Sequence, residues 1–292
     1  MKYANVSVLM SVYFKEKPQF LSEAMESIIQ QTKVPRQFVI VCDGHLPNTL
    51  EEVLNRFSQK YKSLLEITLV RVKHRKNLGV ALNYGLAECK YPLIARMDSD
   101  DHALPDRIAL QENFFARHPK SMVLGGTIQE YVETWETPVS YRKVPIEASK
   151  IFEFSRKRNP LNHMTVMFKR DFINNVMHGY HDVPGYEDYE LWLRVLNRDA
   201  MAISNLPQVL VAARVSGLQS RRGGFKYVLQ NIRARSLFFD EGLISLKDLI
   251  VSIAGGTVVG LCPEAVRKVV YKKVLRGWVP GCLFCNEDNN KE

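Results

Sequence analysis

Hydrophobic residues follow two alternating spacings through the first hundred positions of this chain. Short apolar runs rich in β-branched residues predict four strands, at residues 6–13, 38–41, 67–72 and 92–97. Between these runs, apolar residues recur at helical spacing. They predict three helices: one that opens at Pro18 and is stopped by Pro35, a second over residues 50–57 and a third over residues 80–89. Strands separated by helices indicate an α/β fold with a mostly parallel sheet and flanking helices.

The second half of the chain has a less regular pattern. Residues 122–132, 164–168 and 209–215 predict further strands. The apolar positions around Trp192 predict a helix that Glu187 and Asp188 open, and helical patterns dominate from Lys226 onward. In parallel sheets, ligands bind beyond the carboxyl ends of the strands, so polar residues at strand exits are the first candidates for chemistry.

Composition narrows the classes of protein that fit. The 292 residues are 46% hydrophobic and 24% charged, which is typical of a soluble globular protein. A net charge of +9 indicates an anionic partner, such as nucleic acid, a phosphorylated substrate or an acidic lipid surface. No helix-turn-helix, zinc-finger or RNA-binding signature is visible, so we expect no nucleic-acid partner.

The sequence shows no targeting signal and no cysteine pattern that identifies a function. The chain opens directly into a strand-like run, without a signal peptide, and no run approaches the ~18 apolar residues of a membrane-spanning helix. We therefore expect a cytoplasmic protein. Among five cysteines, Cys282 and Cys285 form one CxxC pair without a second pair nearby, and a structural zinc site needs four ligands.

The residues Arg-Met-Asp-Ser-Asp-Asp, at positions 96–101, span the end of the fourth predicted strand. Asp98 and Asp100 are two residues apart, so their side chains would point the same way on an extended backbone. Two convergent carboxylates suit a hard divalent cation such as Mg²⁺ or Mn²⁺. The alternative is an aspartate-rich turn before a helix that begins near Pro105.

Three other places carry polar residues at the ends of predicted elements. Asp43, beside Gly44, can accept hydrogen bonds from a nucleobase or ribose, or serve only as a turn residue. Asp188 can act as a general base, or stabilise the dipole of the helix that it opens. Arginines 214, 221 and 222 can pair with phosphate oxygens, or form a solvated basic loop.

The order of these segments resembles glycosyltransferase family 2, the inverting glycosyltransferases with the GT-A fold. Five segments carry the resemblance, and together they span about two-thirds of the chain. They are VSVLMSVY (6–13), VCDG (41–44), NLGVALNYG (77–85), ARMDSDD (95–101) and GYEDYELWLR (185–194). The segment 162–168, with Arg214 and the 221–222 pair, is most similar to members that assemble bacterial surface polysaccharides such as O-antigen and capsule.

The resemblance implies a role for each matched residue. The donor would be a UDP-sugar, with galactose or glucose favoured, and Mn²⁺ or Mg²⁺ would bind at Asp98 and Asp100. Asp188 would be the catalytic base. Donor contacts would come from Tyr13, Asp43, Asn77, Arg96, Asp98, Arg221 and Arg222, and acceptor contacts from Glu187, His163 and Trp192. Asp101 adds a third carboxylate, so which oxygens would hold the cation stays open.

One residue departs from the family pattern. The family often carries Asp-Asp-Gly after the second strand, and here Cys42 stands in the place of the first Asp. Asp43 keeps the position assigned to the nucleobase, so the departure affects only a secondary contact with the donor.

The C-terminal third accounts for part of the positive charge. Residues 249–262 carry no charge, and residues 265–276 have an apolar face flanked by lysines and arginines, followed by Trp278. A basic amphipathic helix of this kind can lie in an anionic membrane interface, or pack on the core with a solvated basic face. The first interpretation predicts a C-terminal helical membrane-associating region and a polyprenyl-diphosphate-linked saccharide acceptor at the inner face of the cell membrane.

These predictions divide the chain into a GT-A catalytic domain over residues 1–222, a helical region over 223–285 and a disordered tail over 286–292. Within the catalytic domain, residues 1–101 would bind the nucleotide and 102–222 the acceptor. Two other functions remain open: a sugar-nucleotide nucleotidyltransferase, and a non-catalytic membrane-bound scaffold of the same fold. A nucleotidyltransferase usually has a glycine-rich basic loop after the first strand, and residues 13–17 contain no glycine.

Overall fold

The computed structural model describes residues 2–215 and 224–262 of the chain. The strands of that part are β1 Lys2–Tyr13, β2 Lys33–Asp43, β3 Glu66–Val72, β4 Leu93–Asp98, β5 His102–Ala103, β6 Val123–Tyr131, β7 Ser140–Arg142, β8 Met167–Lys169 and β9 Ile203–Arg214. The α-helices are α1 Pro18–Ile29, α2 Asn48–Tyr61, α3 Leu78–Glu88, α4 Arg107–Arg117, α5 Ala148–Ser155, α6 Glu187–Arg198, α7 Phe225–Asp240 and α8 Leu246–Leu261.

All of these strands belong to one sheet, ordered β3-β2-β1-β4-β8-β6-β9-β5, with β7 beside β6. The pairings of β1 with β2 and β4, of β2 with β3, and of β6 with β9 are parallel. The short strand β8 runs antiparallel between β4 and β6. Residues 1–101, the half predicted to bind the nucleotide, contain β1 to β4, and the pairings among these four strands are all parallel.

The sheet is buried on both faces, which explains the nearly continuous apolar runs of β1 and β2. Val8 and Met10 pack into one core with α1, α2 and α4, whereas Leu9, between them, packs into a second core with α3 and α6. This is the two-residue alternation of a strand.

Two element boundaries predicted from the sequence are wrong. Helix α1 ends at Ile29, and Pro35 lies inside β2 opposite Ala4 of β1, so Pro35 does not stop the helix. Its missing N–H removes one possible bond from the β1–β2 ladder, whose register shifts just after this pair. The strand predicted over 164–168 is a 3₁₀ turn, His163–Thr165, followed by β8.

The helices α7 and α8 come after β9 in the chain. Phe238 of α7 is fully buried and packs edge-on against Tyr189 of α6, with ring centroids 5.4 Å apart. Helix α8 lies close to α7, since a Cβ on Gly260 would come within 2.6 Å of Val228. Five large apolar residues of α8 are exposed: Leu246, Ile250, Val251, Val258 and Leu261.

Within the described residues, none of the helices has the length and apolar character needed to cross a membrane. The basic amphipathic segment 265–276, Trp278, the Cys282–Cys285 pair and the tail predicted over 286–292 lie outside those residues.

Candidate active site

Three strands of the parallel half end at one edge of the sheet, and each end carries a residue singled out in the sequence. Tyr13 ends β1, Asp43 ends β2 directly opposite it, and Asp98 ends β4. The common edge arises because the three strands are parallel neighbours with their carboxyl ends together.

The first part of this edge is aromatic and basic. The guanidinium carbon of Arg75 lies 5.4 Å from the ring centroid of Tyr13 and 5.8 Å from that of Phe14. Asp43 is buried, and its Oδ1 accepts a hydrogen bond from the backbone N–H of Lys76 at 2.7 Å. Burial raises the pKa of Asp43, and the bond from Lys76 opposes that rise.

Gly44 allows this close approach between the two strand exits. Its φ is +83°, in the left-handed region that favours glycine, and an added Cβ would come within 3.2 Å of the backbone nitrogen of Arg75. The turn after β2 therefore brings the segment after β3 against Asp43.

The starts of α3 and α6 meet beside this edge. Asn77, which precedes α3, donates from Nδ2 to Oδ1 of Asp182 at 2.6 Å. A Cβ on Gly79 would lie 2.8 Å from Cβ of Glu187 and 3.0 Å from Cβ of Tyr180. Residues predicted to contact the donor and the acceptor are thus adjacent, although about one hundred positions separate them in the sequence.

The aspartates after β4 converge as predicted, but for a different reason. Carboxylate oxygens of Asp98, Asp100 and Asp101 all lie within 4.8 Å of one another. Residues 99 and 100 form a turn, so the convergence comes from that turn and not from an extended backbone. Ser99 donates from Oγ to Oε2 of Glu16 at 2.5 Å, which brings a fourth carboxylate to the loop.

The electrostatics of this loop fit a cation. Burial, Asp98 and Glu16 raise the pKa of Asp100 to about 7. The pKa of Asp101 is raised well above its usual value, by burial first and then by Asp100. Hard oxygen ligands that repel one another in this way form a set that a divalent cation would stabilise.

Arg96 supplies positive charge beside these carboxylates. Its side chain is 2% exposed, and one Nη lies 2.5 Å from Oδ1 of Asp98. Its Nε and other Nη have no hydrogen-bond partner within residues 2–215 and 224–262. The buried Arg107, at the start of α4, donates to the carbonyl oxygen of Arg96 at 2.6 Å and so fixes the backbone of β4 at this residue.

Arg214, considered from the sequence as a phosphate ligand, is already engaged. Its guanidinium lies between the rings of Phe20 and Tyr131, at 3.7 and 4.7 Å from their centroids, and pairs with Glu23 at 2.7 Å. Its backbone N–H donates to Oδ1 of Asp101 at 2.9 Å. In the structure, Arg214 therefore anchors the aspartate loop.

The N-terminus of α6 holds two carboxyl groups with different surroundings. Asp188 is half-buried and accepts hydrogen bonds from Nδ2 of Asn159 at 2.6 Å and from the backbone N–H of Tyr189 at 2.7 Å. Burial raises its pKa, and Asn159 opposes that rise. Glu187 is buried, its Oε2 has no partner among the described residues, and burial together with Asp188 raises its pKa to about 7.

His163 and Trp192, both predicted to contact the acceptor, occupy different depths. The Nε2 of His163 lies 2.9 Å from the hydroxyl of Tyr180, and burial lowers the pKa of His163 well below its usual value, so the ring is neutral. Trp192 is fully buried in the second core, and its ring centroid lies 6.2 Å from that of His163. Because Trp192 exposes no surface, it has no direct route to an acceptor in this structure. It packs against the ring of His163 instead.

Sequence reasoning missed several residues of this site. Arg221 and Arg222 lie outside the described residues. Arg75 was missed, although the basic run 73–76 at the exit of β3 was a visible signal. No comparable local signal marked the others, namely Glu16, Arg107, Asn159 and Tyr180.

Comparison with known proteins extends these observations. The model of the family described as Glycosyl transferase family 2 matches residues 7–176. An uncharacterized glycosyltransferase of Haemophilus influenzae is 38% identical over 271 residues, which are 92% of this chain and 98% of that protein. The Escherichia coli protein named UDP-Gal:alpha-D-GlcNAc-diphosphoundecaprenol beta-1,3-galactosyltransferase is 36% identical over 271 residues, or 92% of this chain and 96% of that protein.

Among solved structures, the mannosyltransferase PcManGT from Pyrobaculum calidifontis, in complex with GDP-Man and Mn²⁺, superposes with a TM-score of 0.62 at 15% identity. The superposition covers 92% of this chain and 79% of that one. This likeness confirms the α/β, GT-A-like fold predicted from the sequence.

Proposed function

The chain belongs to glycosyl transferase family 2, and from this premise we propose that it transfers a hexose, galactose or glucose, from a UDP-sugar to a lipid-linked saccharide. The step would belong to the synthesis of a bacterial surface polysaccharide such as O-antigen or capsule. The observation that carries this proposal is the arrangement at one sheet edge of convergent aspartates and a half-buried carboxylate, Asp188, at a helix start. The donor and acceptor named for the 36% identical relative supply its chemistry.

The uridine end of the donor would lie against Tyr13, Asp43 and Arg75. A guanidinium already stacked near two aromatic rings offers a flat surface for a base. The buried Asp43 can accept hydrogen bonds from the base or ribose, and Asn77 lies at the adjoining start of α3. Arg96, with two guanidinium nitrogens unpartnered among the described residues, can donate to the diphosphate or to the sugar. Arg221 and Arg222 remain proposed donor contacts on the resemblance alone.

Asp98 and Asp100 would hold Mn²⁺ or Mg²⁺, and Asp101 has one oxygen left after its bond to Arg214. Bound there, the cation would neutralise the charge that develops on the leaving diphosphate. The convergence of these carboxylate oxygens within 4.8 Å of one another is the observation that supports the site, and the raised pKa of Asp100 is a consequence of its burial and of the neighbouring carboxylates.

Asp188 would take the proton of the acceptor hydroxyl as its oxygen attacks the anomeric carbon. Attack from the face opposite the leaving diphosphate inverts the configuration, so an α-linked donor would yield a β-linked product. Glu187 and the neutral His163 can hydrogen-bond the acceptor saccharide beside Asp188, and Trp192 would act through His163.

The reaction is tested with purified protein, Mn²⁺ and a synthetic GlcNAc-α-diphosphoryl lipid as acceptor. We expect transfer from UDP-galactose or UDP-glucose, and a β-linked product by NMR. Transfer only from a GDP- or dTDP-sugar would contradict the donor assignment, and an α-linked product would contradict inversion. A nucleotidyltransferase would instead release pyrophosphate from a nucleoside triphosphate and a sugar 1-phosphate, and a scaffold would do neither.

Membrane contact is a further part of the proposal, with residues 1–222 as the catalytic domain and the helices beyond them as the membrane-associating region. One side of α8 exposes large apolar side chains, including Ile250 at 61% and Val258 at 65%. Residues 249–262 carry no charge, and the sequence that follows is basic. A peripheral position at the inner face of the cell membrane, on an anionic surface, would bring the site to a lipid-linked acceptor.

Vesicle co-sedimentation tests this contact with phosphatidylglycerol vesicles at low salt. We expect Ile250→Glu with Val258→Glu to release the protein, because two buried charges oppose insertion of the helix face. The matched control is Met201→Glu with Val132→Glu, which changes two residues that are also exposed and apolar elsewhere on the surface. Equal pelleting of both double variants would contradict a membrane role for α8.

A further inference from the structure

The carboxylate of Asp188 is held at both oxygens by neutral donors. Its Oδ2 accepts from Nδ2 of Asn159 at 2.6 Å, and its Oδ1 accepts from the backbone N–H of Tyr189 at 2.7 Å. The bond from Tyr189 joins adjacent residues, so it depends only on the local backbone at the start of α6. The Asn159 bond joins two segments that are 29 residues apart, so it is a feature of the tertiary fold.

The amide of Asn159 has only one orientation in this environment. Its Oδ1 accepts from the backbone N–H of Leu161 at 3.2 Å, which turns Nδ2 toward Asp188. A flipped amide would place an NH₂ group against the Leu161 N–H and an oxygen against the carboxylate, and both contacts would be repulsive. Residue 159 must therefore accept on one side and donate on the other, which an asparagine does and an ionised aspartate does not.

Arg142 of β7 secures the segment that carries Asn159. Its guanidinium donates to the carbonyl oxygen of Asn159 at 2.9 Å and to that of Leu161 at 3.1 Å, and it also bonds Oδ1 of Asn162. Asn162 is fully buried and donates in turn to the carbonyl oxygen of Gly126 in β6. The donor to Asp188 is thus tied to the central sheet by a charged group and a buried amide.

We propose that Asn159 is a positioning residue for the catalytic base: it orients the Asp188 carboxylate toward the acceptor and stabilises its ionised form. The inference rests on the proposed function, in which Asp188 takes the acceptor proton. A donated hydrogen bond favours the charged form of a carboxylate, so Asn159 keeps Asp188 deprotonated in surroundings that otherwise favour the proton.

The charged and titratable groups around Asp188 set this balance. Burial raises the pKa of Asp188, whereas Asn159, the Tyr189 N–H, Arg96 and Arg142 lower it. Glu187 and Tyr180 also face Asp188, since its charge raises the pKa of each of them. Without the hydrogen bond from Asn159, fewer groups would oppose the rise in the pKa of Asp188 that burial causes.

The test is the pH profile of kcat for Asn159→Asp, which keeps the shape and the acceptor for Leu161 but, when ionised, replaces the neutral N–H donor by a second negative charge beside Asp188. We expect its acid limb to move to higher pH by about one unit or more, since a hydrogen bond to a charged group is worth about 1.5–3 kcal/mol. On the acid side of the limb this is about a tenfold loss of kcat. The KM for the UDP-sugar should stay unchanged, because Asn159 contacts Asp188 and is not one of the residues proposed to bind the UDP-sugar.

Two further variants separate positioning from folding. Asn159→Ala should move the limb in the same direction and also lower Tm, because it removes the acceptor for Leu161. Asn197→Asp is the matched control: Asn197 lies at the other end of α6, bonds Arg156 and the carbonyl oxygen of Gly242, and its replacement should leave the limb in place. An unshifted limb in both Asn159 variants would overturn the proposal.

The limb must also be assigned to Asp188, because the pKa of Glu187 is raised to about 7. The same profiles are therefore measured in a Glu187→Gln background, where we expect the Asn159→Asp shift to persist. Loss of the shift in that background would overturn the proposal. If Asp188→Asn keeps full turnover, the assignment of Asp188 as the base fails. If Asp188→Asn loses turnover but the acid limb of the Asn159 variants stays at the wild-type pH, only the role of Asn159 fails.

Discussion

The aspartate loop after β4 and the N-terminus of α6 both gather carboxyl groups, but their neighbours differ. In the loop, Asp98 and Glu16 place further negative charge around Asp100. At α6, Asp188 accepts hydrogen bonds from two neutral N–H groups. Mutually repelling carboxylates are stabilised by a cation, whereas neutral donors orient a carboxylate and leave it able to take a proton. Two sites of similar composition are therefore suited to different tasks, and each task predicts a different response to mutation.

Asp100→Ala should give the largest effect. We expect transfer to be abolished while the protein stays folded, because the loop would lose an oxygen that the cation needs. The rise in Tm that UDP causes with Mn²⁺ should disappear as well, since a ligand stabilises the native state only by binding it. Full turnover of the wild-type enzyme in excess EDTA would contradict a cation site in this loop.

Asp188→Asn should reduce kcat by about 100-fold or more, the scale of general-base catalysis, while UDP binding survives. The substitution keeps the size of the side chain but removes its basicity. Asp199→Asn, at the far end of the same helix, is the control and should remain active. The opposite result, lost UDP binding with near-normal turnover at saturation, would move Asp188 into the donor site and remove the contrast between the two regions.

Glu187→Gln should stabilise the protein at neutral pH. The raised pKa of about 7 means that the folded state keeps a proton that the unfolded chain releases near its ordinary value of 4.5. The contribution of Glu187 to stability is therefore present at low pH and is lost as pH rises from about 4.5 to 7.

We expect the free energy of unfolding of the variant to rise by about 1–3 kcal/mol at pH 8 and not to change at pH 4. The measurement is Tm, which should rise at pH 8 only. Glu52→Gln, an exposed change on α2, should show no such trend. A gain that does not vary with pH would mean that burial of a charge at α6 is not its cause.

Arg75→Ala should have the smallest effect, a roughly five- to tenfold weaker affinity for UDP by calorimetry, on the scale of a cation–π contact. Arg36→Ala is a matched control, because the Arg36 guanidinium lies 5.7 Å from the ring centroid of Tyr3, away from the strand exits. Equal affinities of the two variants would show that the basic and aromatic end of the site does not hold the base.

The parallel half of the fold could be predicted well because its signals are local. Each of its four strands is an apolar run whose exit carries a turn or polar residue, and Asp43 and Asp98 were found by that rule alone. The error at Pro35 shows the limit of such reasoning. A proline that breaks a helix by itself is accommodated in β2, where pairing with β1 determines the backbone.

The sequence by itself determined the α/β pattern, the family, and the candidate carboxylates at Asp98, Asp100 and Asp188, because each depends on residue types and on their order along the chain. Only the tertiary structure decided what those carboxylates contact. Asp101 receives its hydrogen bond from a residue 113 positions away, and Asp188 from one 29 positions away. Such pairs form only when the strands and helices have packed, since hydrogen-bond geometry depends on distances in space that no spacing along the chain encodes.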